Sequence, residues 1–195
     1  NIRRNLRAAN KLLRAAGWVI KDSKLVQGET GAPFEFEFLL QSGGAVERIV
    51  QAFARNLERL GIAVNIRLVD PAQYQNRIQD FDFDMITQVL PQSDSPGNEQ
   101  REYWHSDNVE AVGSRNYMGV SHPVVDQLVS QVIQAPDRNE LVHRTRALDR
   151  VLLHGHYVIP HWHLAKDRVA YWGHLQRPAE TPKNGVDLDN WWVQP

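Results

Sequence analysis

Between residues 34 and 89 the hydrophobic period switches repeatedly between two and 3.6, and this alternation restricts the fold more than any other feature of the chain. Phe34, Phe36 and Phe38 fall on one side of an extended segment and Glu35 and Glu37 on the other, the pattern of a half-buried strand. Gly43 and Gly44 break it. Val46, Ile49, Val50, Phe53, Leu57 and Leu60 then recur at helical spacing, and Gly61 closes that helix. Ile62, Val64, Ile66 and Leu68 alternate again, with Asn65 and Arg67 facing the other way. Asp70-Pro71 starts a short helix carrying Tyr74 and Ile78, Asp as the cap and Pro at the first position. A further strand is expected over Phe83 to Val89. Strands separated by helices of these lengths imply crossover connections and an α/β layer.

Helical spacing also opens the chain. Leu6, Ala9, Leu12, Leu13 and Ala16 form one stripe, and Gly17 stands just past its end, where a left-handed backbone suits it. Trp18 is read as the anchor of a short loop containing Gly28 and Gly31. Residues 90–121, with Pro91, Pro96, Gly97, Gly113 and Gly119, have no regular period. A connection that long is commonly a functional segment. One helix follows from Pro123 through Val125, Leu128 and Val132. Another opens on Asp137 and Glu140, spaced as a capping box, and carries Leu141, Leu148, Val151 and Leu152. From Tyr157 the chain is aromatic and strand-like, then rich in Pro and Trp.

Composition excludes several classes. With 42% hydrophobic and 23% charged residues, the 195-residue chain can bury a real core. Its formal net charge of -1 gives no bulk attraction to nucleic acid or anionic membrane. No apolar run approaches the roughly 20 residues a membrane helix needs. Cys is absent, which removes disulfides and thiolate metal sites. Asn1 begins a polar, Arg-rich stretch without the apolar segment of a signal peptide, so a processed or truncated chain is expected.

Three constellations could carry chemistry. His154, His156, His161 and His163 cluster near the C-terminal third, and in a strand His161 and His163 would share a face and could reach one metal ion. No HExxH helix accompanies them, and ordinary exposed or hydrogen-bonded histidines are the alternative. Gln92 to Gln100 follows the carboxyl end of the expected strand, the place where open α/β sheets bind ligands. There Ser95-Pro96 could start a helix whose free N–H groups attract an anion, or Asp94 could hold a cation such as a peptide's α-amino group. A plain helix cap on a surface loop is the bland alternative. The six Trp residues are scattered; Trp104, Trp162 and Trp172 lie where a flat cleft wall is plausible and the rest suit a core. No GxSxG elbow, GxGxxG or GxxxxGK[ST] loop is present.

The ordered run of Asn5-Leu6-Arg7-Ala8-Ala9, Leu12-Leu13-Arg14-Ala15-Ala16-Gly17-Trp18, the Phe36-to-Leu40 strand, Gly61-Ile62-Ala63-Val64, Phe83-Asp84-Met85, Asn116-Tyr117-Met118-Gly119, Pro123, Asp126-Gln127-Leu128 and Ile159-Pro160-His161-Trp162-His163 resembles the C-terminal portion of the family 5 extracellular solute-binding proteins. These are the dipeptide- and oligopeptide-binding components of ABC importers. Ser95-Pro96-Gly97-Asn98-Glu99-Gln100-Arg101 is similar to the subgroup linked to peptides and peptide-like antibiotics such as microcin C. The resemblance implies one lobe of a type 2 periplasmic binding protein, a mixed sheet flanked by helices. Residues 1–156 would be that ligand-binding lobe, and 157–195 a tail returning to a second lobe. It further implies no cofactor, no catalysis, no bound metal and a periplasmic location. The expected partners are a peptide or peptide-like ligand and an ABC transporter permease. Asp94, Ser95, Asn98, Trp104, Arg115, Asn116, Tyr117 and Trp162 are the residues expected to line its cleft. A dimer of the truncated chain is an expectation from its aromatic tail. The competing class is a metal-dependent hydrolase built on His154, His156, His161 and His163.

Overall fold

Asn1 caps the first helix, α1 (Ile2–Ala15), by accepting the Arg3 N–H at 3.1 Å. Leu6, Ala9 and Leu13 turn the apolar stripe of α1 onto Leu25, Leu60 and Ile62. Structure is described here, from a computed structural model, for residues 1–44, 46–161, 166–182 and 185–194. The chain divides into two units, Asn1–Tyr157 and Val158–Pro195.

After α1 the chain forms an antiparallel hairpin, β1 (Trp18–Lys21) and β2 (Lys24–Gln27), where a loop was expected from the sequence. Asp22 and Ser23 make the turn with φ of 50° and 64°, the paired left-handed conformation that suits the twist of a tight hairpin. Strand β3 (Glu35–Gln41) pairs in parallel with β4 (Ala63–Val69), and α2 (Glu47–Glu58) makes the crossover. Gly61 (φ 82°) lies so close to the hairpin that a Cβ there would stand 2.6 Å from the Leu25 nitrogen. Only glycine fits both that contact and that backbone.

The expected half-exposed strand is buried on both faces. Phe38 and Leu40 pack with Val50 of α2, while Leu39, fully buried, packs with Val69 and Ile78 on the opposite face. The run Phe38-Leu39-Leu40 therefore behaves as a parallel strand covered on both sides. Asp70 caps α3 (Pro71–Gln79), accepting from the Ala72 and Gln73 N–H groups at 2.9 and 3.0 Å. Glu37, the exception on the second face, is partly buried and receives Arg77 of α3 at 2.8 Å; Arg77 also holds Asp82 at 2.7 Å. The strand expected over Phe83 to Val89 shrinks to a single parallel bridge, Phe38 with Met85. Its ladder consists of Met85 N–H to the Glu37 carbonyl and Leu39 N–H to the Met85 carbonyl. The next N–H, that of Glu37, donates instead to the Asp84 carboxylate at 2.8 Å, and this ends the pairing.

Beyond residue 98 the longer regular elements of the unit are helices: α4 (Glu99–Trp104), α5 (Pro123–Ile133) and α6 (Arg138–His154). Tyr103, Trp104, Val120, Val125, Val129, Val132 and Leu148 form their common core. Tyr157 packs against this core and so stays with the first unit. The second unit holds a two-residue pairing, β5 (Leu175–Gln176) with β6 (Trp192–Val193), and an edge-on contact of Tyr171 with Trp191 at 4.8 Å. The first unit is mixed α/β, with parallel strands between helices and an antiparallel hairpin beside them. Among the described residues no helix is long and apolar enough to cross a membrane.

Candidate functional site

The carboxyl ends of β3, β4 and the Met85 segment open on the connections that lead to α2, to α3 and, over residues 88–98, to the helix that follows. The last is the longest, and several side chains hold it in place. Arg138, the first residue of α6, donates to the Asp94 carbonyl and lies 3.5 Å from Ser95 Oγ. Tyr103 donates its hydroxyl to the Pro91 carbonyl at 3.4 Å, and Arg115 Nη1 donates to that hydroxyl at 3.3 Å. Gln100, buried, donates to Gln92 at 2.6 Å and accepts the Trp104 indole N–H at 3.1 Å. Asp94, Ser95 and Asn98 are exposed on the loop so held.

The helix after this loop starts later than Ser95-Pro96 suggests. Asn98 occupies the cap position with a helical backbone and no side-chain capping bond. The Gly97 N–H is taken instead by the Glu99 carboxylate at 2.9 Å. Burial pushes the Glu99 carboxyl up, but the Gly97 N–H, its own N–H and the Gln100 amide outweigh this and hold it below the usual range. An anion is thus already built into the position where a free helix end would have recruited one.

The structure separates the remaining expected residues by role. Trp104 is buried in the helical core, its N–H spent on Gln100, and presents no wall to a cleft in this unit. Asn116 is completely buried. Its amide donates to the Val120 carbonyl at 2.9 Å and the His105 carbonyl at 3.2 Å, and its oxygen accepts the Val120 N–H at 2.9 Å. That set closes the loop 116–120 on itself. Tyr117 packs against the Leu39 cluster on the α3 face of the sheet. Arg115 is exposed and reaches the 88–98 loop through Tyr103. Trp162 and His163 lie outside the described residues. Of the other histidines, His154 and His156 stack with ring centroids 6.4 Å apart. Among the described residues no group of three or more His, Asp or Glu stands where it could share a metal ion.

Below Trp104 a second polar network joins the loop region to α5. Asp126 accepts the Ser106 N–H at 2.8 Å and the Ser106 hydroxyl at 2.6 Å. Burial raises its carboxyl, yet these two bonds, with His105 and Arg101 nearby, leave it lowered overall. A carboxyl held low stabilises the fold above the pKa of the unfolded chain and ceases to as pH falls through its folded value. Unfolding followed against pH should therefore show Asp126→Asn with a shallower loss of stability below about pH 4 than the parent. Identical acid limbs would remove Asp126 from that role.

Sequence reasoning missed Arg138 and Tyr103. Arg138 reads as an ordinary first-turn residue after the Asp137 cap, and its hold on Asp94 depends on where two elements 44 residues apart meet. Tyr103 gives a weak signal, the first of the two adjacent aromatics that end α4.

Comparison with known proteins bears on what this loop serves. The family model described as bacterial extracellular solute-binding proteins, family 5 Middle, matches residues 1–111. A protein named "Probable peptide-binding protein YejA" from Agrobacterium fabrum is 44% identical over 191 residues, 97% of this chain and 31% of that protein. "Peptidoglycan-binding protein YepA" of the same organism is 40% identical over 190 residues, again 97% and 31%. The chain thus spans about 30% of the length of the curated relatives it matches. Among solved structures, the oligopeptide-binding protein AppA from Bacillus subtilis, in complex with a nonapeptide, matches with a TM-score of 0.73 at 19% identity. That match covers 97% of this chain and 37% of AppA. The fold of this chain is therefore the fold of part of such a binding protein.

Proposed function

We propose a function from one premise, that this chain belongs to family 5 of the bacterial extracellular solute-binding proteins: it supplies one side of a cleft that holds a peptide or peptide-like ligand for an ABC importer. The relatives' names and the AppA complex support the ligand class. One observation carries the site: the loop at the carboxyl edge of the parallel strands is held from below by Arg138 and Tyr103 while Asp94, Ser95 and Asn98 stay exposed upon it. Ligands of open α/β sheets bind at that edge. Asp94 would take the ligand's α-amino group, and Arg115, exposed beside Tyr103, would face an anionic or carbonyl group farther along. Residues from Val158 onward would belong to the second lobe of the intact protein. The protein would work in the periplasm as a carrier rather than an enzyme, with an importer permease as its acceptor.

Calorimetry on the intact protein tests this. Asp94→Asn should weaken a peptide with a free amino end by about 1.5–3 kcal/mol, the scale of a hydrogen bond to a charged group. An N-acetylated peptide should lose far less. Equal affinity of parent and variant for the free-amine peptide would take Asp94 out of the site.

A further inference from the structure

We propose that the outer face of α1 is a docking groove for an extended acidic segment of a partner protein. Arg3, Arg7, Lys11 and Arg14 follow one another at spacings of four, four and three residues, so they stand on one side of the helix. At about 1.5 Å per residue they make a stripe roughly 16 Å long, the span of about five residues of extended chain. Arg59, beyond the end of α2, lines the same groove, as do Leu6 and Leu60.

Three observations separate this stripe from a merely solvated helix face. The sequence of α1 contains no Asp or Glu, so the i, i+4 ion pairs that support exposed helices are missing. The like charges Arg3/Arg7 and Arg7/Lys11 occupy those spacings and oppose helix formation. All five cations are exposed, and none takes part in the ion pairs found among the described residues. The chain as a whole carries a formal charge of -1, so these five cations do not merely continue a net positive surface.

The shape selects the partner. The lining joins the cations of α1 to Arg59 and also includes the apolar Leu6 and Leu60. An extended strand alternating acidic and apolar residues meets both kinds of lining, because its side chains alternate sides. Leu6 and Leu60 give an extended acidic and apolar segment a contact that a lipid headgroup or a free phosphate would leave unused.

The probe is a fluorescein-labelled octapeptide of alternating Asp and Leu, titrated against the intact protein at low and physiological salt. Binding should weaken at least tenfold in Arg7→Glu/Lys11→Glu, and less in Arg7→Gln/Lys11→Gln, each checked for an unchanged melting temperature. It should weaken steeply with salt. It should be unaffected by Arg146→Glu/Arg150→Glu, a control pair exposed on α6, and by Asp94→Asn, which separates this groove from the ligand site proposed above. Equal losses in the control pair would overturn the proposal. So would an Lys11 amine that resists acetylation in the intact protein, since the groove would then be covered by the protein itself. Vesicles containing phosphatidylglycerol that bind through Arg7 and Lys11 while the octapeptide does not would replace the protein partner with a membrane.

Discussion

Replacing Asn116 with alanine will lower the stability of the first unit by about 3 kcal/mol or more. The side chain is fully buried and satisfies three backbone groups, the Val120 N–H, the Val120 carbonyl and the His105 carbonyl. Alanine would leave all three without a partner in a dry interior, at about 1–3 kcal/mol each. Asn116→Asp should also be costly, because a carboxylate cannot donate to the two carbonyls and would face them as a buried charge. Urea denaturation of parent and variants measures both. A loss below about 1 kcal/mol for Asn116→Ala would mean that the loop 116–120 closes without its clamp. The consequence for function is that Asn116, expected from the sequence to line a cleft, acts by holding the chain between α4 and α5. Any effect of its replacement on ligand affinity should track stability.

The second large effect concerns affinity. This chain should bind a peptide at least about 100-fold more weakly than a relative of full length, the equivalent of about 2.8 kcal/mol. The relatives are roughly three times as long as the stretch they share with it, and a cleft protein covers its ligand from two sides. One side alone desolvates only half of the ligand. The parallel strands, their crossover helices and the α4–α6 core each bury an apolar cluster, so the first unit is expected to fold by itself. Calorimetry with one peptide on both proteins would decide it. Affinities within tenfold of each other would mean that this chain contains the whole site.

Much of the fold could be read from residue spacing. The apolar spacing from Leu6 to Ala16 marks α1, the alternation from Phe34 marks β3, and Asp70-Pro71 and Asp137 act as the caps their chemistry suggests. The hairpin at 18–27 escaped because its turn is Asp22-Ser23 rather than a glycine-containing pair, and its strands have four residues each. The second face of β3 escaped because Glu35 and Glu37 suggested solvent, whereas Arg77 neutralises Glu37 from a helix 40 residues away. The helix start at Ser95-Pro96 was displaced by a competing local bond, Glu99 to the Gly97 N–H. Of the residues expected to line a cleft, Asp94, Ser95 and Asn98 are exposed, as a polar stretch around Pro96-Gly97 suggests. The burial of Trp104 and Asn116 was not legible in this way, since it depends on how α4, α5 and the 116–120 loop pack together.

On the function proposed above, the intact protein carries peptides in a cleft edged by the 88–98 loop. Native mass spectrometry of the protein purified from its own cells without denaturation tests that claim most directly. The expected result is a mass increment that disappears on denaturation, fragments as a peptide or peptide conjugate, and is reduced in Asp94→Asn. A protein that emerges at its bare mass and gains none of a diverse peptide mixture, or that returns those peptides cleaved, would contradict it.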